Sequence, residues 1–159
     1  MKIDKILVPT DFSPQSDAAL GYAVDLAERI GHRVILLHTL GPSTVPLLDG
    51  AIIPSAHELV ERVADASEQI DALRRRFDRA GVSIEAKVVQ GAPAEEIVRF
   101  ADAERCDLIV MGTHGRSGLA RIALGSVAER VVRAATIPVL TIRAEPPVPA
   151  TDGLSAPVL

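Results

Sequence analysis

Short apolar segments alternate with amphipathic segments along nearly the whole chain, and this alternation constrains the fold more than any other feature of the sequence. Five runs rich in Val, Ile and Leu have the length of strands, at residues 6–8, 34–37, 84–89, 107–111 and 137–142. Between them, apolar residues recur at spacings of three and four, as they do on one face of a helix. Strands that alternate with helices in this way are typical of a parallel sheet covered by helices on both faces.

Connection rules predict the order of the strands. Right-handed crossovers and helices on both faces favour the order 3-2-1-4-5, with the strands numbered along the chain. The expected fold class is therefore α/β, with a five-stranded parallel sheet. Strands one and four are neighbours at the point where the strand order reverses, and ligands bind outside the carboxyl ends of the strands at such a point.

Two helices are predicted in some detail. Ser13 and Pro14 mark the start of the first helix, which runs to about residue 30 and presents the apolar residues Ala19, Tyr22, Ala23, Leu26, Ala27 and Ile30. The longest helix carries Ala56, Leu59, Val63, Ala66, Ile70, Leu73 and Phe77, and Gly81 is expected to end it. This spacing also fits a coiled coil, but packing of one helix against the sheet explains it as well and is the favoured interpretation.

Two segments lack such a pattern. Residues 41–54 contain three prolines and two glycines among apolar residues, and a long irregular loop is expected there. Residues 144–159 contain four prolines and few residues suited to a core. We therefore expect one domain at residues 1–143, followed by a flexible tail at residues 144–159.

Composition excludes several classes of function. The net charge is −4, and the chain has no Trp, one Tyr and three Phe, which argues against nucleic acid as a partner. Cys106 is the only cysteine, so a disulfide framework is excluded and a reducing compartment fits. No apolar run has the length of a signal-peptide core or a membrane span. A cytoplasmic protein with no membrane partner is the expectation.

A glycine-spaced segment follows the fourth predicted strand and leads into the last predicted helix. Its pattern is Gly112-x2-Gly115-x9-Gly125-Ser126. Glycine has no Cβ, so the backbone can approach an oxyanion closely. The start of a helix leaves four N–H groups unpaired and carries partial positive charge, which favours a bound phosphate. The spacing therefore predicts a site for nucleotide phosphates.

Thr10 and Asp11 follow the first predicted strand and are expected to face this glycine segment. A carboxylate at that place can accept hydrogen bonds from ribose hydroxyls or hold a divalent cation beside phosphates. The glycine segment contains no lysine, and the chain lacks the Gly-Lys-Ser/Thr sequence of a Walker phosphate loop. These features favour a module that holds a nucleotide without rapid hydrolysis. A slow ATPase and a ligand-free dimeric scaffold are the alternatives.

The same residues resemble the universal stress protein family, in its ATP-binding branch. The resemblance is carried by residues 5–13, 36–38, 111–115 and 125–127, and it covers residues 2–143. It implies a Rossmann-like fold of the adenine nucleotide alpha hydrolase type and a homodimer. It also implies ATP at the carboxyl edge of the sheet and a role in regulating stress responses.

The resemblance also implies a role for individual residues. Around adenine and ribose it places Pro9, Thr10 and Asp11, with Asp11 on the ribose hydroxyls, and it places Thr39 and Met111 in the adenine pocket. Around the phosphates it places Gly112, His114, Gly115 and Arg116 on one side and Gly125, Ser126 and Val127 on the other.

The fifth predicted strand lies at the edge of the sheet in the order 3-2-1-4-5. Its residues Val139–Ile142 are expected to pair with their copy in a second subunit, because an unpaired strand edge is otherwise exposed. The expected partners are thus a second copy of the chain, ATP and an unidentified protein. Whether Mg²⁺ or Mn²⁺ accompanies the nucleotide is left open by the sequence, as is the signal to which the protein responds.

Overall fold

A five-stranded parallel sheet forms the centre of the computed structural model, which describes residues 3–30, 33–41, 45–47, 50–52, 55–113 and 124–143. The strands in chain order are β1 (Lys5–Thr10), β2 (Arg33–Leu40), β3 (Val45–Leu47), β4 (Gly50–Ile52), β5 (Ser83–Gln90), β6 (Leu108–Gly112) and β7 (Val139–Ile142). The large sheet has the order β5-β2-β1-β6-β7. With its five strands numbered along the chain, this is the predicted order 3-2-1-4-5, so the fold class is confirmed.

Four helices among the described residues cover the two faces of this sheet. They are α1 (Pro14–Ile30), α2 (Ala56–Arg76), α3 (Pro93–Ala103) and α4 (Ser126–Ala134). Helices α1 and α2 pack in one apolar cluster with Ile6 and Val8 of β1, whereas α3 and α4 pack in a second cluster with Leu7. Successive side chains of a strand point to opposite faces, so a strand covered on both faces must be apolar throughout. Within the described residues, no helix is both long enough and apolar enough to cross a membrane.

The segment predicted to be an irregular loop contains two short strands. Strands β3 and β4 pair antiparallel, with Val45 opposite Ile52 and Leu47 opposite Gly50. The prediction was therefore wrong for these six residues, because it gave the prolines more weight than the β-branched residues. A two-stranded ribbon leaves the outer side of each strand unpaired, so it can accommodate Pro46. Residues 144–159, expected to form a flexible tail, lie outside the described residues.

Helix α1 buries a broader face than its predicted apolar stripe. Ala19, Ala23 and Ala27 are buried as expected, but Leu20 and Val24 are buried as well. Tyr22, which was assigned to the stripe, is 47% exposed, so that assignment was wrong. The helix lies against a sheet, and a flat surface covers neighbouring positions that a narrow helical stripe leaves out.

Helix α2 ends earlier than Gly81 suggested. Its last helical residue is Arg76, and the Phe77 N–H donates to Leu73 O and Arg74 O. Gly81 instead takes a positive φ of 88° in the turn that leads to β5. Gly81 correctly indicates a turn, but this turn follows the helix and does not mark its end. The buried residues Ala66, Ile70 and Leu73 face the sheet, which confirms the packing favoured over a coiled coil.

Candidate functional site

A cavity of about 330 Å³ opens at the carboxyl edge of the sheet, where β1 and β6 lie side by side. Its size is within the range found for small-molecule sites. Strands β1, β2 and β6 and helices α1, α3 and α4 all contribute to its walls. The residues that line it are Pro9, Thr10, Asp11, Ser16, His38, Thr39, Pro93, Ile97, Met111, Gly112, Thr113, Gly125, Ser126, Val127 and Ala128.

The turn between β1 and α1 forms one wall and is held by its own side chains. Thr10 Oγ1 accepts a hydrogen bond from the Phe12 N–H at 3.0 Å. Asp11 Oδ1 accepts from the Ser13 N–H at 3.1 Å. Side chains of Thr and Asp commonly stabilise tight turns by bonding to a backbone N–H two residues later. The two bonds together fix the direction in which Thr10 and Asp11 leave the sheet.

Three buried hydroxyl groups join this turn to the start of α1. Ser13 Oγ accepts from the Ser16 N–H at 3.3 Å, which is the bond of a helix N-cap. Ser16 Oγ donates to Ser13 O at 2.8 Å. The hydroxyl hydrogen of Ser16 is then committed, so in its 3.0 Å contact with Thr10 Oγ1 it is Thr10 that donates. The network leaves the Thr10 side chain with a defined orientation at the cavity wall.

His38 reaches this turn from the neighbouring strand. Thr10 and His38 are paired in the register of β1 and β2, and His38 Nδ1 lies 2.8 Å from Thr10 O. A carbonyl oxygen only accepts, so Nδ1 carries the hydrogen. The imidazole also packs on the Phe12 ring, with the ring centroids 4.4 Å apart.

The opposite wall begins at Gly112, where β6 ends against the first turn of α1. A Cβ added at Gly112 would lie 3.0 Å from Gln15 O and 3.1 Å from Gln15 C, which are backbone atoms. Only glycine therefore allows this approach without movement of the helix. The sequence analysis expected glycine here so that the backbone could approach a bound oxyanion. In the structure, glycine is needed at residue 112 because its close neighbour is the Gln15 backbone.

Hydrogen bonds link the end of β6 to the start of α4. The Thr113 N–H donates to Ile142 O at 3.0 Å, and the Gly125 N–H donates to Thr113 O at 2.6 Å. Gly125 is the N-cap residue of α4, and it has no side chain with which to cap the helix. The amino end of α4 therefore borders the cavity at Ser126 and Val127, as the glycine spacing predicted.

Nine of the twelve residues expected at the site line the cavity, namely Pro9, Thr10, Asp11, Thr39, Met111, Gly112, Gly125, Ser126 and Val127. His114, Gly115 and Arg116 lie outside the described residues. The cavity also has six lining residues that were not expected, namely Ser16, His38, Pro93, Ile97, Thr113 and Ala128. The Gly91-Ala92-Pro93 helix start was a usable signal for the α3 wall, because a helix that starts after a sheet strand begins at the carboxyl edge.

Charged groups and metal-ligand clusters are sparse near the cavity. Asp11 is the only acidic residue among the described lining residues, which include no Lys or Arg. In the part of the chain that the structure describes, no group of three or more His, Cys, Asp or Glu side chains could hold a metal ion. Cys106 is not a lining residue. It is buried, and desolvation raises the pKa of its thiol to about 11.

A family model and curated relatives both match this chain, and they indicate the same family. A model of the universal stress protein family matches residues 2–143. The universal stress protein MJ0531 of Methanocaldococcus jannaschii is 37% identical to this chain over 141 residues. That alignment covers 87% of this chain and 81% of the relative.

Solved structures share the fold. Protein MJ0577, from the same organism, superposes with a TM-score of 0.75 at 29% identity, over 92% of this chain and 99% of that one. A universal stress protein in complex with cAMP has a TM-score of 0.67 at 26% identity, over 89% and 98%. The Archaeoglobus fulgidus universal stress protein in complex with dAMP has a TM-score of 0.59 at 26% identity, over 89% and 98%.

Proposed function

The chain belongs to the universal stress protein family, and on this basis we propose that it binds ATP in the cavity at the carboxyl edge of its sheet. In this proposal the nucleotide changes the surface that the protein offers to a partner, and hydrolysis is slow or negligible. The observation that carries the proposal is the position of the cavity, between the end of β1 and the amino end of α4. This is the place where α/β sheets of this order bind nucleotides.

The adenosine part of ATP fits the wall formed by β1, β2, β6 and α3. Pro9, Met111 and Ile97 give this wall an apolar surface suited to a base. Thr39 adds a hydroxyl group, Thr10 lines the wall with its own hydroxyl bonded to Phe12 and Ser16, and the carboxylate of Asp11 can accept from the ribose hydroxyls. The complexes of two structural neighbours with cAMP and with dAMP support an adenine nucleotide as the class of ligand.

The phosphates fit the wall formed by Gly112 and the amino end of α4. The unpaired N–H groups and the helix dipole there favour an anion, and Ser126 adds a hydroxyl donor. His114, Gly115 and Arg116 complete this wall in the proposal. A divalent cation, Mg²⁺ or Mn²⁺, would be held mainly by the phosphates themselves, because the proposal places Asp11 on the ribose and the described residues hold no group of three or more His, Cys, Asp or Glu side chains suited to a metal ion.

The described residues offer little for rapid hydrolysis of ATP. Fast phosphoryl transfer needs cationic groups on the γ-phosphate and a group that orients the attacking water. No Lys or Arg is among the described lining residues. In the proposal only the segment at residues 114–116 supplies cations to the phosphates, so we favour the regulatory module, with slow hydrolysis at most.

ATP retention and phosphate release, measured on the same sample, test the proposal. We expect the purified chain to bind ATP in equilibrium dialysis and to release almost no phosphate over the same period. Gly125→Val places a branched side chain in the cavity at the α4 N-cap and should weaken ATP binding by more than about tenfold. Ala134→Val adds a similar side chain at the exposed end of the same helix and should bind ATP normally.

Each other outcome has a defined meaning. Steady phosphate release that Gly125→Val abolishes would replace the module with the slow ATPase. If the wild-type chain retains no ATP, the ligand-free scaffold would be the function that the result supports. Unchanged ATP affinity in Gly125→Val would show that the nucleotide binds elsewhere.

A further inference from the structure

We propose that His38 is a positioning residue for the bound nucleotide, because it holds the turn after β1 in the conformation that presents Thr10 and Asp11 to the cavity. The proposal rests on the proposed function, since it concerns the same site. His38 makes two contacts with this turn. Its Nδ1–H donates to Thr10 O at 2.8 Å, and its ring packs on the Phe12 ring.

The turn needs such support because its backbone is strained. Phe12 has a φ of 62°, a region that bulky residues with a Cβ rarely adopt. Strain of this kind persists only where surrounding contacts hold it, and it is concentrated at functional sites. The contacts at Phe12 are the bond from its N–H to Thr10 Oγ1 at 3.0 Å, its packing on the α1 side of the core and the His38 ring.

The two contacts of His38 lie on either side of Asp11. Thr10 precedes Asp11 and accepts the hydrogen bond, and Phe12 follows it and receives the ring. One side chain from the neighbouring strand thus fixes both backbone neighbours of the carboxylate that faces the ligand. The register of the sheet makes this possible, because Thr10 and His38 are direct partners in the pairing of β1 and β2.

Loss of these contacts should reduce the fraction of molecules in which the turn is ready to bind. When only a fraction of a protein is competent, the apparent Kd rises by the inverse of that fraction. Removal of the donor leaves the Thr10 carbonyl oxygen unpaired, which can lower the equilibrium constant of the turn by about a hundredfold and so take a turn that is about nine-tenths competent to about one tenth. The adenosine side of the site is the side affected, so the loss should be the same for AMP and for ATP.

Two substitutions at His38 separate its contacts. His38→Phe keeps an aromatic ring near Phe12 and removes the hydrogen-bond donor. His38→Asn keeps an amide N–H at the place of Nδ1 and removes the ring. His57→Phe is the matched control, because His57 lies on α2 with 81% of its side chain exposed.

Binding of AMP and of ATP to each variant is measured by calorimetry, with thermal unfolding as a second readout. We expect His38→Phe to weaken both ligands about tenfold, His38→Asn to stay within about threefold of wild type, and His57→Phe to match wild type. His38→Leu also removes the Nδ1–H donor, and it replaces His38→Phe if that variant does not fold. It should weaken AMP and ATP by equal factors.

Three results would overturn the inference. His38→Phe that unfolds at a lower temperature but binds both ligands normally would make His38 a structural residue only. A loss confined to ATP would place the effect on the phosphates and not on Asp11. A wild-type chain that binds neither ligand would overturn the proposed function, and the inference with it, before any variant is compared.

Discussion

Gly112 shows how one missing methyl group brings two elements together. The end of β6 and the first turn of α1 approach closely enough that a Cβ at Gly112 would lie 3.0 Å from Gln15 O. Gly112 lines the cavity, and Gln15 directly precedes Ser16, which also lines it. The fold and the candidate site therefore depend on the same glycine.

The substitution Gly112→Ala should lower the free energy of unfolding by about 1–3 kcal/mol, because the added carbon meets backbone atoms that can move only with the helix. Gly21→Ala is the matched control within α1, since its Cβ would meet only the Phe77 ring, at 3.4 Å. Removal of a glycine from a helix interior should stabilise by about 0.5–1 kcal/mol. Urea unfolding measures the free energy of unfolding of both variants. Equal changes in the two variants would contradict a close contact between Gly112 and the Gln15 backbone.

Cys106 provides a test at alkaline pH. Burial raises the pKa of its thiol from the usual 9.0 to about 11 in the folded chain. Between these values the unfolded chain binds fewer protons than the folded chain, so stability should fall as the pH rises. The fall should reach at most about 1.4 kcal/mol per pH unit.

Unfolding of wild type and of Cys106→Ala, measured across pH 9 to 11, isolates the thiol from Lys and Tyr groups that ionise in the same range. We expect a shallower loss of stability in Cys106→Ala. Parallel curves for the two proteins would show that the thiol ionises equally in the folded and unfolded chains.

At the scale of residues, the lining of the cavity could be predicted where it depends on local chemistry. Gly125 and Ser126 were recognisable because a helix start has its own sequence pattern, and Asp11 because it follows a strand. His38 and Ser16 were missed because their importance comes from contacts with Thr10, on another strand or one helical turn away. Such contacts depend on strand register, which the sequence does not state.

At the scale of elements, the starts of helices were more predictable than their ends. Ser13 and Pro14 mark the start of α1, and Pro93 marks the start of α3. These residues act locally, by capping an N–H or by lacking one. The end of α2 was misplaced because Gly81 serves the turn after it.

The strand order was predictable because few arrangements satisfy right-handed crossovers and two covered faces. The short pair β3 and β4 was not, because a three-residue strand carries too little pattern to outweigh a proline. Pro138, unlike Pro46, lies outside the strand that it adjoins. It directly precedes β7, a place where the missing N–H of a proline is tolerated, and its carbonyl accepts from the Ile109 N–H at 3.0 Å.

At the scale of the whole molecule, β7 is an edge strand of the described sheet. The carbonyls of Pro138 and Ile142 face β6, since they accept from Ile109 and Thr113. Backbone groups alternate in direction along a strand, so those of Val139 and Thr141 face away from β6. We propose that they pair with a second copy of the chain.

We expect the chain to sediment as a homodimer at micromolar concentration. Thr141→Pro removes an outward N–H and should yield a monomer with an intact fold. Thr141→Val keeps the N–H and should remain dimeric. A wild-type chain that sediments as a monomer would contradict an interface at β7. A Thr141→Pro variant that remains a dimer would contradict it as well.

The cytoplasmic location and the regulatory role also belong to this scale, and both stay predictions. Their basis is the composition of the chain and the family to which it belongs. Fractionation of cells that express the tagged chain tests the location.

The hydrogen bond from the Gly125 N–H to Thr113 O closes the base of the segment between β6 and α4. Both ends of that segment are anchored in the sheet and helix, whatever residues lie between them. Lengthening such a closed segment has a small entropic cost, about 0.6 kcal/mol for each doubling. Substitutions or insertions between these two ends should therefore alter ligand binding at little cost to the stability of the fold.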